Sequence, residues 1–292
     1  MVVVQLIGGL GNQMFQYALG RSLAISRGDR LSLYVGKLSS LFRIGSAPQP
    51  DERSFGLDVF DIAADITTLE KLQSERANVI WTVTESGFGF FPEVLSECRN
   101  HRNLGLIGWW QSEQYFLENA EHIRNDFTLK ASYNSPYPAC LIAEIVQSDS
   151  MCVHVRRTDI LKAENTTGPL ELDYYARAIE TMRERTRVSH AFVFSDDIAW
   201  CKEQLSLSLP TTFVSSEAPD QLHAADDLHL MSLCKHFVIA NSTYSWWAAW
   251  LGKAAEKVVI APRRWFRNED SSFKGDSYLT SADLIPSTWL RI

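Results

Sequence analysis

Short, nearly continuous apolar runs recur along this chain, and most lead through polar turns into stretches with helical spacing. The first run, residues 2–7, is rich in β-branched residues and predicts a buried parallel strand. Gly8-Gly9-Leu10-Gly11-Asn12-Gln13 follows, and residues 14–27 then place Met14, Tyr17, Ala18, Ala24 and Ile25 at helix-compatible intervals. The chain therefore opens as strand, glycine-rich turn and helix. Residues 30–35, 79–84 and 104–110 predict further strands, and Thr67-Thr68-Leu69-Glu70 has the form of a capping box that starts a short helix. Gln111-Ser112-Glu113 leads into an amphipathic helix expected to run through Ile123. Residues 36–56, with Pro48 and Pro50, form a long irregular connection expected to be mobile.

Residues 130–138 (Lys-Ala-Ser-Tyr-Asn-Ser-Pro-Tyr-Pro) carry the clearest linker composition, and the domain boundary is expected there, between 135 and 136. Beyond it the alternation becomes regular. Helices are predicted over 139–146, 172–187, 198–205, 227–234 and 242–251, and strands over 151–155, 190–194, 211–214, 237–240 and 258–260. Strands alternating with helices make a doubly wound parallel sheet. The 292 residues suit two domains of about 150 each, an N-terminal one over 1–135 and a C-terminal one over 136–292.

The chemistry gathers where the strands of the second half end. Those ends carry Arg156-Arg157, Ser195-Asp196-Asp197, Ser215-Ser216, Asn241-Ser242-Thr243 and Arg263-Arg264. A single such end reads equally well as solvated polar residues. Five together point to a ligand cleft at the carboxyl edge of a sheet. Adjacent guanidinium groups repel unless solvent or an anion separates them, and their forks match phosphate oxygens. Ser242, Thr243 and Ser245 open a predicted helix, where hydroxyls and N–H groups make an anion seat. Asp196 or Asp197 has the chemistry to accept hydrogen bonds from a ribose or a guanine edge.

Composition narrows the classes further. A net charge of −7 argues against a general nucleic-acid binder, and 46% hydrophobic with 22% charged residues is ordinary for a globular protein. The five cysteines are odd in number and form no C-x-x-C pair, which fits reduced thiols in a cytoplasmic protein. No apolar run has spanning length. The seven histidines show no metal-ligand spacing, and neither a P-loop lysine motif nor an Asp-x-Asp metal signature occurs. Gly9 and Gly11 fit the first two glycines of the dinucleotide fingerprint, but Met14 stands at the third, which speaks against NAD. Trp109 and Trp110 read either as core or as a sugar-stacking platform, with core favoured. For Trp246, Trp247 and Trp250 packing is the main reading.

Three segments resemble the bacterial α-1,2-fucosyltransferases, glycosyltransferase family 11. They are Gly-Gly-Leu-Gly-Asn-Gln-Met-Phe-Gln-Tyr-Ala at 8–18, His-Val-Arg-Arg-Thr-Asp at 154–159 and Ala-Asn-Ser-Thr-Tyr-Ser-Trp-Trp-Ala-Ala-Trp at 240–250. Gln111-Ser112 with Tyr115-Phe116, Leu172-Asp173-Tyr174-Tyr175 and Phe194-Ser195-Asp196-Asp197 support them in the family's order. The resemblance implies a GT-B fold, with two Rossmann-like domains facing each other across a cleft. It also implies GDP-β-L-fucose as donor and inverting, metal-independent transfer to the 2-hydroxyl of a terminal galactose on a surface polysaccharide or oligosaccharide. By the same resemblance Arg156 and Arg157 would hold the diphosphate, with Arg156 stabilising the leaving group. His154 and Asp197 would lie near the guanosine. Ser242, Thr243 and Ser245, preceded by Asn241, would seat the phosphates, and Asn12 would reach toward the donor.

Thr158 stands where the family usually has Gly, and here the segment looks like the core α-1,6-fucosyltransferases, whose proposed catalytic Glu corresponds to Glu164. Asp159 and Glu164 are the candidate general bases, and for Asp159 holding the arginines is the favoured role. The expected partners are GDP-β-L-fucose and a galactose-terminated oligosaccharide, with no nucleic acid, no cofactor and no metal. The expected location is cytoplasmic, with peripheral contact to the inner membrane left open. A fucosyltransferase of other regiochemistry and a non-catalytic nucleotide-sugar-binding protein stay as alternatives.

Overall fold

A computed structural model describes residues 1–36, 54–74, 81–98, 101–158, 160–163, 167–215, 223–267, 269 and 280–292. Most of the predicted irregular connection, residues 37–53, lies outside them. The chain divides into two compact units. One comprises Met1–Ser132 with Ala282–Leu284, the other Tyr133–Ser281 with Ile285–Ile292. The return of residues 282–284 to the first unit has no counterpart in the sequence pattern. Its anchor is Asp283, whose carboxylate accepts the Phe90 N–H at 3.0 Å and the Gln114 amide at 3.4 Å.

The first unit is built on β1 (Val2–Gln5), α1 (Leu10–Arg27), β2 (Leu31–Tyr34), β3 (Asp65–Thr67), α2 (Leu69–Ser74), β4 (Trp81–Thr84), α3 (Pro92–Cys98), β5 (Leu104–Ile107) and α4 (Ala120–Asp126). Its strands form a parallel sheet in the order β3-β2-β1-β5-β4. α1 begins four residues before the predicted start, because the Gly9 carbonyl already accepts the N–H groups of Asn12 and Gln13. Met14 occupies the fingerprint position that would need a small residue, and the close approach of helix to sheet falls at Gly20 instead. A Cβ there would lie 2.3 Å from Val4 Cγ2 and 2.9 Å from Leu31 Cδ1. The helix expected over 111–123 is two short 3₁₀ turns, Glu113–Tyr115 and Leu117–Asn119, followed by α4. Phe116 breaks it, with φ −137° and ψ 7°, while its side chain is buried in the core.

The second unit contains α5 (Ala139–Gln147), β6 (Ser150–Val155), α6 (Leu172–Arg185), β7 (His190–Ser195), α7 (Ile198–Gln204), β8 (Thr211–Phe213), α8 (Ala224–Ser232), β9 (His236–Val238), α9 (Thr243–Leu251), β10 (Val259–Ala261) and β11 (Leu290–Arg291). α8 starts three residues before the prediction, capped by the His223 side chain and by Asp226 reaching back to the His223 N–H. The linker is pinned to this helix by Tyr133, donating to Asp226 at 2.8 Å, and Tyr137, donating to Asp227 at 2.5 Å. Trp246, Trp247 and Trp250 are core, as expected, packing on one another, and Trp246 also meets Trp289. β3 and β11 escape sequence reading because three and two residues are too few to show a period. Among the described residues no helix is long and apolar enough to cross a membrane.

Candidate functional site

The sheet of the second unit runs β11-β10-β9-β6-β7-β8, every pair parallel. Counted from β6 as first strand, this is the Rossmann order 3-2-1-4-5-6. The chain winds outward from β6 through β7 to β8, then returns to β9 on the other side of β6. Between β6 and β9 the strand order therefore reverses, and the connections leaving the two strands depart in opposite directions. Ligands of open α/β sheets bind at that point. His154, Arg156 and Arg157 stand at the end of one flanking strand, and Asn241, Ser242 and the start of α9 follow the other. Topology thus ranks the polar strand ends. Asp196 and Asp197 lie one strand away, after β7. Ser215 after β8 is exposed, Arg263 and Arg264 after β10 are exposed, and Ser216 lies outside the described residues.

The two arginines are held differently. The Arg157 guanidinium lies 3.8 Å over the Trp200 ring, and its Nε is 3.7 Å from Asp197 Oδ2. Asp197 also caps α7, accepting the Trp200 N–H at 3.1 Å. Arg157 is therefore docked on the first turn of α7, which removes rotamer freedom before any ligand arrives. Arg156 is partly exposed, and its backbone hydrogen-bonds the buried Tyr175 hydroxyl. Burial pushes the Tyr175 hydroxyl far above the usual phenol range, so it stays a neutral hydrogen-bonding group.

Asp196 is committed to the loop itself. Its carboxylate accepts the N–H of Arg157 at 2.8 Å and of Thr158 at 2.9 Å, and the Thr158 hydroxyl at 2.5 Å. The Thr158 side chain, the residue that departs from the family pattern, adds a third tie to this clamp.

After β9, the Asn241 amide nitrogen donates to the carbonyls of Gly168 at 3.0 Å, Trp265 at 3.2 Å and Thr167 at 3.4 Å. Asn241 is 2% exposed, and it ties the segments beside the switch point to the strand end. Ser245 is fully buried, and its hydroxyl donates to the carbonyls of Ala240 and Ser242, so it shapes the turn. Ser242 holds the N-cap position of α9 in extended conformation, with no side-chain cap and no acidic residue in the first turn. An N-terminus of that kind carries partial positive charge toward the strand ends. The buried His154 ring lies 5.8 Å from the Tyr244 ring on α9. Asp159 and Glu164, the candidate bases, lie outside the described residues.

The glycine-rich turn of the first unit has a matching logic. Gly8 has φ +76°, which an L side chain adopts only with strain. Gln16 accepts the Ile7 N–H at 2.9 Å and donates to the carbonyls of Ile7 and Gly108. Gln13 donates to Gly8 and Ser54 and accepts the Gly56 N–H. Both glutamines are scaffold. Asn12 is oriented by Gln111, whose amide donates to Asn12 Oδ1 at 3.0 Å. Sequence reasoning passed over Glu85, which stands just after β4. Its oxygens accept the N–H groups of Trp109 at 2.6 Å and Trp110 at 3.0 Å. Burial raises its carboxyl to about 7 against the pull of those two bonds. A carboxylate immediately after an apolar run is the one trace of it in the sequence. Among the described residues no cluster of three or more His, Cys, Asp or Glu side chains has metal-binding geometry.

Comparison with known proteins places the chain. Residues 92–282 match the model of glycosyl transferase family 11. An α-1,2-colitosyltransferase from Escherichia coli is 33% identical, covering 100% of this chain and 98% of that protein. The O-antigen biosynthesis glycosyltransferase WbnK from Escherichia coli is 30% identical over 94% of this chain and 98% of its own length. Among solved structures, the α-1,6-fucosyltransferase NodZ co-crystallized with GDP superposes at a TM-score of 0.50 with 16% identity, covering 85% of this chain and 91% of that one. That likeness supports a GT-B fold built of two Rossmann-like units. The chain belongs to glycosyl transferase family 11.

Proposed function

We propose that this glycosyltransferase moves L-fucose from GDP-β-L-fucose to the 2-hydroxyl of a terminal galactose, with inversion and without a metal. The observation that carries the reading is the switch point between β6 and β9, flanked by Arg156, Arg157 and the uncapped start of α9. In a single displacement the acceptor oxygen bonds to the anomeric carbon while the bond from that carbon to the β-phosphate oxygen breaks. The electron pair leaves with GDP, and the hydroxyl proton passes to a carboxylate, Asp159 or Glu164. Charge grows on the β-phosphate as the bond breaks, so fixed cationic and N–H groups lower the barrier where a divalent ion would otherwise act. Arg156 takes the leaving oxygens, and Arg157 is pre-positioned by Trp200 and Asp197. His154 and Asp197 face the nucleoside. Loss of one charge-assisted bond is worth about 1.5–3 kcal/mol, so Arg156→Ala lowers kcat/KM by roughly ten- to a hundred-fold or more. Wild-type turnover in that variant would remove the arginine clamp.

The test is incubation with GDP-fucose and lactose or a panel of galactosides, with the product linkage assigned by NMR. An α-1,2-fucoside is expected, and an α-1,3 or α-1,6 product refutes the regiochemistry. A second donor, GDP-colitose, is favoured by the 33% identity to a colitosyltransferase. Colitose lacks the 3-hydroxyl of L-fucose. A site that hydrogen-bonds this hydroxyl discriminates by a factor on the order of 10⁴, whereas an apolar pocket discriminates far less. The ratio of kcat/KM for the two donors decides between them. The relationship to WbnK supports a surface-polysaccharide acceptor.

A further inference from the structure

In the first unit's sheet, ordered β3-β2-β1-β5-β4, β1 and β5 are parallel neighbours, so the connections that leave them start from the same carboxyl edge. Gly8 to Asn12 follows β1, and Gly108 to Gln111 follows β5. The second of these connections is held in an unusual way. Trp110 has φ +55°, in the left-handed region that a bulky side chain seldom enters, and it is fully buried against Tyr115. Glu85 fixes it by accepting the N–H groups of both tryptophans. A strained backbone persists only where its surroundings over-determine it, and such strain gathers at ligand sites.

The conformation places Trp109, partly exposed, next to the glycine turn. A Cβ on Gly8 would lie 3.0 Å from Trp109 Cζ3 and 2.5 Å from Asn12 Nδ2, so the missing side chain lets indole and amide lie together. Gln111, two residues after Trp109, orients that amide. An indole face beside two coupled amides, at the carboxyl edge of a parallel sheet, is the composition that recognises a sugar. The ring meets an apolar C–H face, and the amides meet hydroxyls.

We propose that Trp109 is the stacking residue for the acceptor galactoside, with Glu85 as the positioning residue that fixes its loop. The proposal deepens the functional reading above and rests on it for the identity of the sugar. The axial 4-hydroxyl of a galactopyranoside leaves C3–H, C4–H and C5–H exposed together on the opposite face, which matches one indole.

Two measurements test it. In saturation-transfer NMR with methyl β-D-galactoside, wild-type protein delivers its strongest transfer to H3, H4 and H5. Trp109→Leu loses most of that transfer, while Trp109→Phe keeps it. In initial-rate kinetics with lactose, the acceptor KM rises at least tenfold in Trp109→Leu and less than threefold in Trp109→Phe, with the GDP-fucose KM shifting less than twofold. Equal behaviour of the Phe and Leu variants, or transfer centred on the aglycone methyl group, overturns the stacking role. The Phe variant keeps an aromatic ring at this partly exposed position and serves as the folded reference. If wild-type protein binds the galactoside through Trp109 but transfers no fucose, the site stands and the functional reading fails. If it transfers fucose with Trp109 irrelevant, the reverse holds.

Discussion

Replacing Glu85 by glutamine removes an ionisable carboxyl from beneath the Trp109–Trp110 turn while keeping the length of the side chain. In the folded protein burial raises this carboxyl from 4.5 to about 7, although two backbone N–H groups at 2.6 and 3.0 Å favour its charged form. A raised folded value means that the fold prefers the protonated acid. Stability from this group is thus fullest below pH 4.5, falls as the pH climbs to about 7 and is flat above. From 4.5 to about 7, at about 1.4 kcal/mol per pH unit, the loss reaches about 3 kcal/mol. Partial solvent contact makes that an upper bound. Glutamine has one carbonyl for two N–H groups, which costs about 1–3 kcal/mol at every pH and cannot mimic the slope. The assay is urea unfolding of wild type and Glu85→Gln at pH 5 and pH 8, followed by tryptophan fluorescence. The stability difference between the two proteins should shift in favour of the variant by about 1–3 kcal/mol between those pH values. Other titrating groups cancel in that double difference. Parallel pH profiles would refute the buried carboxylate.

Gly20→Ala forces a methyl group to within 2.3 Å of Val4 Cγ2 and should cost about 1–3 kcal/mol by thermal unfolding. An unchanged Tm would mean that α1 shifts freely on the sheet. Asp196→Ala removes three ties to the loop of Arg156 and Arg157, and exposure of the carboxylate limits each to about 0.5–1 kcal/mol. We expect the GDP-fucose KM to rise about ten-fold, with Thr158→Val giving a smaller rise in the same direction. A GDP-fucose KM in kinetics and a GDP Kd in isothermal titration that both equal the wild-type values would show that Asp196 does not set the loop. Under the proposed mechanism, in which fixed cationic groups serve the leaving phosphate, activity should persist undiminished in EDTA; a loss restored by magnesium or manganese would overturn metal independence.

Apart from β11, the elements of the second unit were legible because the central strands of a doubly wound sheet are mostly apolar and the helices between them show their own period. Residues 2–7 and 151–155, the Trp246–Trp250 helix and the polar strand ends all report burial, which is a local property. The family motifs added the expectation that Arg156 and Arg157 hold a diphosphate. Strand order is not local. Nothing in the spacing of residues 151–155 and 237–240 says that these two strands pair, yet that pairing creates the switch point and ranks Arg156 and Ser242 above Ser215 or Arg263. The roles of the amides and carboxylates were equally hidden. Gln16 meets the Gly108 carbonyl 92 residues away and Asn241 meets Gly168 73 residues away, so their partners exist only once the chain is folded. Sequence determined which residue types stand at the sheet edge. Only tertiary structure decided that Gln13, Gln16, Asp196 and Asn241 hold the loops in place, and that Glu85 and Gly8 set Trp109 beside Asn12. The physical reason is that a hydrogen-bonding side chain is defined by the partner it reaches, and that partner is fixed by packing rather than by position in the chain.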